Sequence, residues 1–489
     1  MKRLPRRAFL QLTAAAGGSL VAGFDPRSRS WVTDTRAAQR PLEKVPKLDG
    51  ELHLDEMSRK VAASDWGLIV HHQPIAVLKP GSVQDVVTIV RYANQHRIKI
   101  AMRGRGHSVY GQAQVEAGIV IDSSTLKAAK ITSAGTVDVQ PGISWGDLNN
   151  ITFAKGLTPP VINGCVVLTV GGTLSIGGMG HTSHRFGAQV DNVEELDVVT
   201  GDGRLVTCSS RREKELFDVV LAGIGQCAIV VRARLHVVPA QTDVLLQDLV
   251  YDDLGPFLSD IKRLTLEGRF DHVWPRIQKV DGTWKFFIVI GKFFTPPNNP
   301  ELAALVADLK FKSKSDTLRS SYRDYLHTTR TATKEAAGAP FRSGVTVHEI
   351  AMWLPDSAAA DFIATILATP SDLAKASQGL DVWPMITTRF TRPLFKMPGE
   401  DFAYGIWIYD GTNPNESAGV SAMLARHRSL YERMRSAGGK RYGGFGAVPF
   451  SPTDWQDHFG LRMWNRLVAA KKKYDPNSVL TPGPGMFSH

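Results

Sequence analysis

The stretch "MRGRGHSVYG" at residues 102–111 decides how this sequence is interpreted. Its glycines, Gly104, Gly106 and Gly111, tolerate positive φ and let another group approach the backbone closely. A tight turn accounts for the glycines alone. It does not account for His107, so the function of this loop has to be inferred from the rest of the chain.

The residues before this loop predict a β-α-β unit. A short strand and a Pro-Gly turn come first, then a helix capped by Ser82, then a strand over 97–102. A Rossmann dinucleotide site needs GxGxxG between a strand and a helix. Neither this loop nor the second glycine-rich segment, "LTVGGTLSIGGMG" at 168–180, has that arrangement. The second segment instead predicts a nest of backbone N–H groups and hydroxyls for a pyrophosphate, with close packing as the alternative.

Composition limits the classes of protein that remain. The 489 residues are 43% hydrophobic and 21% charged, which is typical of a globular protein of two or three domains. The net charge of +11 is diffuse, and the short "KKKY" at 471–474 is its one basic run beside an aromatic, so nucleic-acid binding is not favoured. Cys165, Cys208 and Cys227 form neither a metal-binding spacing nor a disulfide framework.

The N-terminal segment predicts export. "MKRLPRRAFLQLTAAAGGSLVAGF" at 1–24 has a twin arginine, Arg6 and Arg7, followed by a mild apolar run too short to span a bilayer. We therefore predict a twin-arginine signal over 1–38, with cleavage near Ala37, and a periplasmic or secreted protein without a membrane span. An uncleaved basic leader is the alternative.

Several motifs in order resemble one family. "RGRGHSVYGQAQ" at 103–114, the segment at 168–180, "QVDNVEELDVVTGDGRLVTCS" at 189–209 and "GIGQCAIVVRARL" at 223–235 resemble the FAD-binding domain of the vanillyl-alcohol oxidase / p-cresol methylhydroxylase (PCMH) superfamily. The C-terminal stretch at 454–487 is similar to that of the cytokinin dehydrogenase branch. The resemblance runs from about residue 70 to the end and is weaker through 241–440.

The resemblance implies an α+β fold with a PCMH-type FAD-binding domain of two α/β subdomains. A second α+β domain, with helices on an antiparallel sheet, would bind the substrate. The predicted organisation is a signal at 1–38, an extension at 39–66, the FAD domain at 67–240, the substrate domain at 241–440 and a segment returning to the FAD domain at 441–489.

The resemblance also assigns residues to FAD. His107 matches the histidine that bonds covalently to the flavin. The other positions implied to hold the cofactor are Arg103, Gly104, Arg105, Gly106, Ser108, Gln112, Thr169, Gly171, Gly172, Ser175, Gly178, Met179 and Val230. No metal is implied.

The sequence departs from cytokinin dehydrogenase where that family keeps its base. The expected aspartate lies five residues before Thr169, a position that Gly164 occupies here. Trp274 replaces an acidic residue of the substrate entrance, and Phe445 stands where a tyrosine is expected. The same region gains Cys165, six residues before Gly171, the spacing of the flavin-bonded cysteine in berberine-bridge-type enzymes and oligosaccharide oxidases. That likeness implies a bicovalent flavin; a small buried thiol is the alternative.

The reaction implied is a two-electron oxidation of a C–H beside an O–H or N–H, with oxygen or another acceptor receiving the electrons. The candidate bases are Tyr442, Tyr110, His181 and His184, and Arg441 is expected to lower the pKa of Tyr442. The leading hypothesis is an exported oxidase or dehydrogenase for a bulky alcohol, sugar or alkaloid-like molecule. A divergent cytokinin or secondary-amine dehydrogenase and a flavin- or ligand-binding protein without turnover are the alternatives.

Overall fold

The structure is a computed structural model that describes residues 21–25, 30–33, 42, 45–133, 135–328, 346–369, 372–373, 379–444 and 446–487. The chain divides into two compact units, Met1–Lys47 and Leu48–His489. Within the first unit, strands β1 (Val21–Asp25) and β2 (Ser30–Thr33) pair as an antiparallel hairpin. The twin arginine, the predicted cleavage point and Phe445 lie outside the described residues.

The second unit contains the remaining elements. Its strands are β3 (Glu51–His53), β4 (Ala76–Lys79), β5 (Ile100–Arg103), β6 (Ile119–Asp122), β7 (Ala129–Ser133), β8 (Thr136–Val139), β9 (Leu157–Thr158), β10 (Val193–Thr200), β11 (Leu205–Ser209), β12 (Ala228–His236), β13 (Val238–Pro239), β14 (Asp243–Tyr251), β15 (His272–Val280), β16 (Thr283–Phe294), β17 (Ser313–Lys314), β18 (Leu318–Ser321), β19 (Thr346–Pro355), β20 (Gly379–Ile386), β21 (Phe402–Thr412) and β22 (Lys440–Arg441). Its α-helices are Glu56–Ala62, Val83–His96, Trp145–Phe153, Val170–Ile176, Ser183–Phe186, Lys214–Val220, Leu254–Leu266, Leu302–Val306, Tyr322–Thr328, Asp356–Ala368, Ser417–Ser436, Pro452–Phe459 and Leu461–Tyr474.

The N-terminal part of this unit follows the predicted β-α-β pattern. The Ser82 side chain accepts a hydrogen bond from the Asp85 N–H and starts the helix Val83–His96, which ends at Arg97 in the left-handed conformation. The helix buries apolar residues such as Val86 and Val90. Strands β4, β6 and β5 are parallel, with β3 antiparallel at the edge. A separate five-stranded antiparallel sheet has the order β11-β10-β12-β8-β7.

The second half of the unit is built on a large antiparallel sheet, as predicted. Its strand order is β17-β14-β16-β15-β20-β21-β19-β22, and β18 also pairs with β14. Apolar residues such as Ile350, Val382 and Ile406 lie on one face and contribute to a core shared with the helices Leu254–Leu266 and Asp356–Ala368. The opposite face is therefore available to form one wall of a cleft.

The C-terminal residues pack against strand β5, directly before the histidine loop. The Ile100 N–H donates to the Val479 carbonyl and the Thr481 N–H to the Ile100 carbonyl, both at 2.7 Å. Nearby, the buried Lys471 ammonium donates to Asp475 and to the Gln226 carbonyl. The α+β prediction is confirmed. Among the described residues, none of the helices is both long and apolar enough to cross a membrane.

Candidate active site

A cleft with about 1820 Å³ of empty space, including the part open to solvent, joins the two glycine-rich segments to the large sheet. The predicted residues that line it are Gly104, Arg105, Gly106, His107, Ser108, Gln112, Cys165, Thr169, Gly171, Gly172, Ser175, Met179, His181, Val230 and Tyr442. Arg103, Tyr110 and Gly178 are not among its lining residues. Most of the predicted positions therefore lie around one space.

The histidine loop presents backbone donors to this cleft. It leaves strand β5 and turns at Gly106, where φ is +69°. Within the part of the chain that the structure describes, the N–H groups of Arg105, Gly106, His107 and Ser108 have no hydrogen-bond acceptor. Successive free N–H groups in such a turn form an anion-binding concavity, which the exposed Arg105 cation reinforces.

His107 is held by a residue that sequence reasoning missed. Its ring stacks on Trp66 with centroids 5.0 Å apart and planes 5° from parallel. Burial lowers the pKa of His107, so the imidazole is neutral and keeps a nitrogen lone pair at neutral pH. Trp66 lies in a stretch with no hydrophobic periodicity, and nothing in the sequence signals this contact.

Asp65 braces the same loop. Its carboxylate accepts hydrogen bonds from the Ser108 hydroxyl at 3.0 Å and from the Gly111 N–H at 2.7 Å. The residue is 5% exposed, and this burial raises the pKa of its carboxyl group to about 6 despite the hydrogen bonds. Asp65 and Trp66 therefore connect the predicted 39–66 extension to the histidine loop.

The raised pKa of Asp65 predicts a pH-dependent stability. Because the folded-state pKa lies above the unfolded value of 3.8, the contribution is complete below pH 3.8 and is lost as pH rises through about 6. The free energy of unfolding of the wild type should therefore fall, relative to Asp65→Asn, by up to about 3 kcal/mol over this range. Chemical denaturation of wild type and Asp65→Asn at several pH values measures this difference in the free energy of unfolding. The exposed Asp361→Asn is the control, and parallel curves for wild type and Asp65→Asn would refute the assignment.

The second glycine-rich segment differs from the predicted nest. Residues Val170–Ile176 form a short helix capped by Thr169. The Gly171 N–H donates to the Pro141 carbonyl, and the Gly172 N–H to Thr169 Oγ1, so these donors are used inside the protein. A Cβ added to Gly171 would lie 2.5 Å from the Cβ of Pro141, and one added to Gly178 would lie 2.0 Å from Gln189 Oε1. Close packing, the alternative interpretation, therefore explains these glycines, and the free N–H groups belong to the first loop.

Arg103, Gly178 and Tyr110, which do not line the cleft, each contact a residue that does. Arg103 Nη1 donates to the Ser64 carbonyl, and Gly106 packs so closely over the guanidinium that an added Cβ would lie 2.2 Å from Arg103 Nη2. The Gly178 N–H donates to the Tyr442 hydroxyl oxygen at 2.8 Å. The Tyr110 N–H donates to the Gln112 side-chain oxygen at 2.9 Å.

Cys165 lines the cleft and is buried, with 6% of its surface exposed. Burial, reinforced by the negative charge of Glu349, raises the pKa of its thiol to about 12, and Arg105 opposes the shift. The residue is a neutral thiol at physiological pH. Cys208 and Cys227 are buried free thiols that do not line this cleft.

The wall formed by the large sheet carries aromatic and acidic side chains that sequence reasoning largely missed. Its lining residues are Trp274, Glu349, Asp381, Trp383, Trp407 and Tyr409. The indole N–H groups of Trp274 and Trp383 are buried and have no acceptor among the described residues. One sequence signal for this wall is Asp381, an acid within the apolar strand "GLDVWPMI". An acid in such a strand is unusual for a residue with only a structural role.

The prediction that Arg441 lowers the pKa of Tyr442 is wrong. Arg441 donates to the Val448 and Gly446 carbonyls and lies over the Phe450 ring, so its charge is held elsewhere. Burial raises the pKa of the Tyr442 hydroxyl, which also accepts the Gly178 N–H. A tyrosine in this environment is a poor base at neutral pH.

The candidate histidines are weak bases. His181 stacks on Trp383 with centroids 4.8 Å apart, and burial lowers its pKa to about 3. His184 has both ring nitrogens near carbonyl oxygens, of His181 at 3.1 Å and Phe270 at 3.2 Å, and burial lowers its pKa to about 4. His184 is not among the lining residues. His181 is better suited to shape the wall than to accept a proton.

The residues present fit FAD. The free N–H groups of the histidine loop and the Arg105 cation suit a pyrophosphate, while Ile176, Met179 and Val230 provide apolar contacts for a flat ring system. The aromatic and acidic wall lines the same cleft as these residues.

Comparisons with known proteins agree with this fit. The family model described as "FAD binding domain" matches residues 74–209, and that described as "Cytokinin dehydrogenase 1, FAD and cytokinin binding" matches residues 286–487. The fold is similar to that of 6-hydroxy-D-nicotine oxidase from Arthrobacter nicotinovorans, with a TM-score of 0.67 and 19% identity over 90% of this chain and 97% of that chain. The fold and the cleft define an FAD-dependent oxidoreductase of the PCMH type.

Sequence relatives identify the family within this class of oxidoreductases. An oxidoreductase of Rhodococcoides fascians named for ORF5 of its fasciation locus is 35% identical, covering 89% of this chain and 99% of the relative. Cytokinin dehydrogenase 10 of Oryza sativa subsp. japonica is 29% identical, covering 91% and 90%. This chain belongs to the cytokinin dehydrogenase/oxidase family of FAD-dependent oxidoreductases.

Proposed function

We propose that this protein is an exported oxidase or dehydrogenase whose FAD is bonded covalently to His107 and to Cys165. Its substrate would be a bulky small molecule with a C–H beside an O–H or N–H. The observation that carries the proposal is that His107, Cys165 and the aromatic and acidic wall line a single cleft. Export rests on the twin-arginine pattern at Arg6 and Arg7.

The environment of His107 supports attachment. A neutral imidazole has a lone pair for bond formation, and stacking on Trp66 fixes the direction of the ring. For Cys165 the support is its position in the cleft, since its thiol has to lose a proton before it can form a bond. Two covalent bonds would retain the cofactor outside the cell.

Bound FAD supplies a two-electron acceptor for hydride. The residues of this chain would bind and orient the substrate. Trp274, Trp383 and Trp407 offer flat apolar surfaces, and the buried indole N–H groups of Trp274 and Trp383 remain available to a substrate acceptor. A carboxylate at the same wall would receive the proton of the substrate heteroatom.

A secondary-amine substrate is the second candidate. The relatives named cytokinin dehydrogenase favour it, as does the presence of Asp381 and Glu349 in the cleft, because carboxylates attract an N–H group or a cationic amine. Against it stands Gly164, where the aspartate of that family is expected.

Anaerobic reduction of the flavin tests the function. Purified holoprotein is mixed with N6-isopentenyladenine as a cytokinin, 6-hydroxy-D-nicotine and a reducing oligosaccharide, and the visible flavin absorbance is followed. We expect one chemical class to bleach the flavin fully. Bleaching by sugars with none by amines would reject the amine candidate. A yellow protein that none of the probes bleaches would contradict the enzymatic proposal and favour a binding protein.

A further inference from the structure

Neighbouring strands of the large sheet bring two acids to the same face. Asp381 on β20 lies opposite Trp407 on β21, and Glu349 on β19 lies opposite Tyr409 on β21. Directly opposed residues of antiparallel strands share a face, as do residues two apart along one strand. Asp381, Trp407, Tyr409 and Glu349 therefore form one row, and all of them line the cleft.

Asp381 is the more enclosed of these acids. The residue is 4% exposed, and the Tyr409 hydroxyl donates a hydrogen bond to Asp381 Oδ2 at 2.6 Å. On the other side, Arg276 of β15 lies opposite Asp381 in the register, and its guanidinium donates to Asp248 at 2.7 Å. The short bond from Tyr409 fixes the direction of the carboxylate within the cleft.

The cleft needs a proton acceptor that the family motif does not provide. Gly164 has no side chain, Tyr110 does not line the cleft, and Tyr442 is occupied by the Gly178 N–H. A carboxylate offers about four lone-pair sites on its two oxygens, so one that accepts the Tyr409 hydroxyl can also take a proton from a substrate. Among the described lining residues, Asp381 and Glu349 are the carboxylates.

We propose that Asp381 accepts the proton from the substrate O–H or N–H, with Tyr409 as its positioning residue. The inference rests on the proposed function. In the step, the substrate C–H bond breaks and its electron pair leaves as hydride to the flavin, while the O–H or N–H proton moves to the Asp381 carboxylate. The substrate gains a C=O or C=N bond and loses two electrons, and the flavin gains two. The heteroatom becomes acidic as hydride leaves, so a carboxylate suffices.

The test compares Asp381→Asn with wild type as holoproteins, using the probe of the panel that bleaches wild type fastest. We expect anaerobic bleaching to slow by about 100-fold or more, the usual contribution of a general base. The flavin content should be unchanged. The dissociation constant of the oxidised product, which no longer carries the proton, should change less than threefold. Asp361→Asn, at an exposed position of the helix Asp356–Ala368, is the matched control.

The Tyr409→Phe variant tests whether Tyr409 acts by orienting the Asp381 carboxylate and not only by supporting the fold. Removing its hydrogen bond to the carboxylate should raise the pKa that governs the acid limb of the pH–rate profile and should leave the rate at high pH within about tenfold of wild type. Bleaching of Asp381→Asn within tenfold of wild type, or an acid limb that Tyr409→Phe does not move, would overturn the inference alone. Failure of wild type to bleach with every probe would instead reject the proposed function, and the inference with it.

Discussion

Replacing His107 and Cys165 together by alanine should release all of the flavin when the protein is precipitated in acid. Each bond by itself keeps FAD on the chain through denaturation, so His107→Ala and Cys165→Ala should each still give a yellow pellet. The double variant should give a colourless pellet and a yellow supernatant. Absorbance of the two fractions measures this directly, and all four proteins can be prepared in parallel.

The single variants test each bond separately. A sulfur bonded to the ring changes the flavin absorption spectrum, so Cys165→Ala should shift the visible bands of the native protein. An unshifted spectrum would remove Cys165 from the account and leave it as a small buried thiol. Free flavin from His107→Ala alone would lead to the same conclusion, because the Cys165 bond would then be missing.

Gly104→Ala should remove most of the bound flavin. The new Cβ would lie 2.2 Å from Thr169 Oγ1, so the hydroxyl that caps the helix Val170–Ile176 would have to move away from the histidine loop. Such overpacking costs about 1–3 kcal/mol, and the displacement falls on the residues next to the proposed attachment point. We expect less than half of the purified protein to carry flavin, measured as the ratio of visible to ultraviolet absorbance.

Gly255→Ala is the matched control for this substitution. It adds the same methyl group in the helix Leu254–Leu266, where an added Cβ would meet no described atom within 4 Å. Its flavin content should equal that of wild type, and alanine should stabilise the helix slightly. Equal flavin in Gly104→Ala and Gly255→Ala would contradict the close contact between Gly104 and Thr169.

The fold could be predicted from the sequence because its signals are local. The Ser82 cap, the alternation in strands such as β16, and the glycines of 102–111 are each contained within a few residues. The conformation of the segment at 168–180 could not be predicted as well. Glycines allow both a nest and close packing, and the choice depends on Pro141 and Thr169 accepting the N–H groups.

The site was predictable only at the cofactor end. His107 and Cys165 lie in ordered motifs, whereas Asp381 and Glu349 reach the cleft through the order of strands β20, β21 and β19 in the sheet. The environment of Tyr442 was misjudged because its sequence neighbour Arg441 bonds to carbonyls elsewhere. Proximity in sequence therefore does not determine which charge acts on a buried hydroxyl.

Peptide mass spectrometry of the wild-type holoprotein is the decisive measurement of the two proposed covalent bonds. After denaturation and proteolysis, the peptides containing His107 and Cys165 should remain linked through one FAD. Fragmentation should place the added mass on those two side chains. Recovery of both peptides without added mass, together with free FAD in solution, would contradict the account.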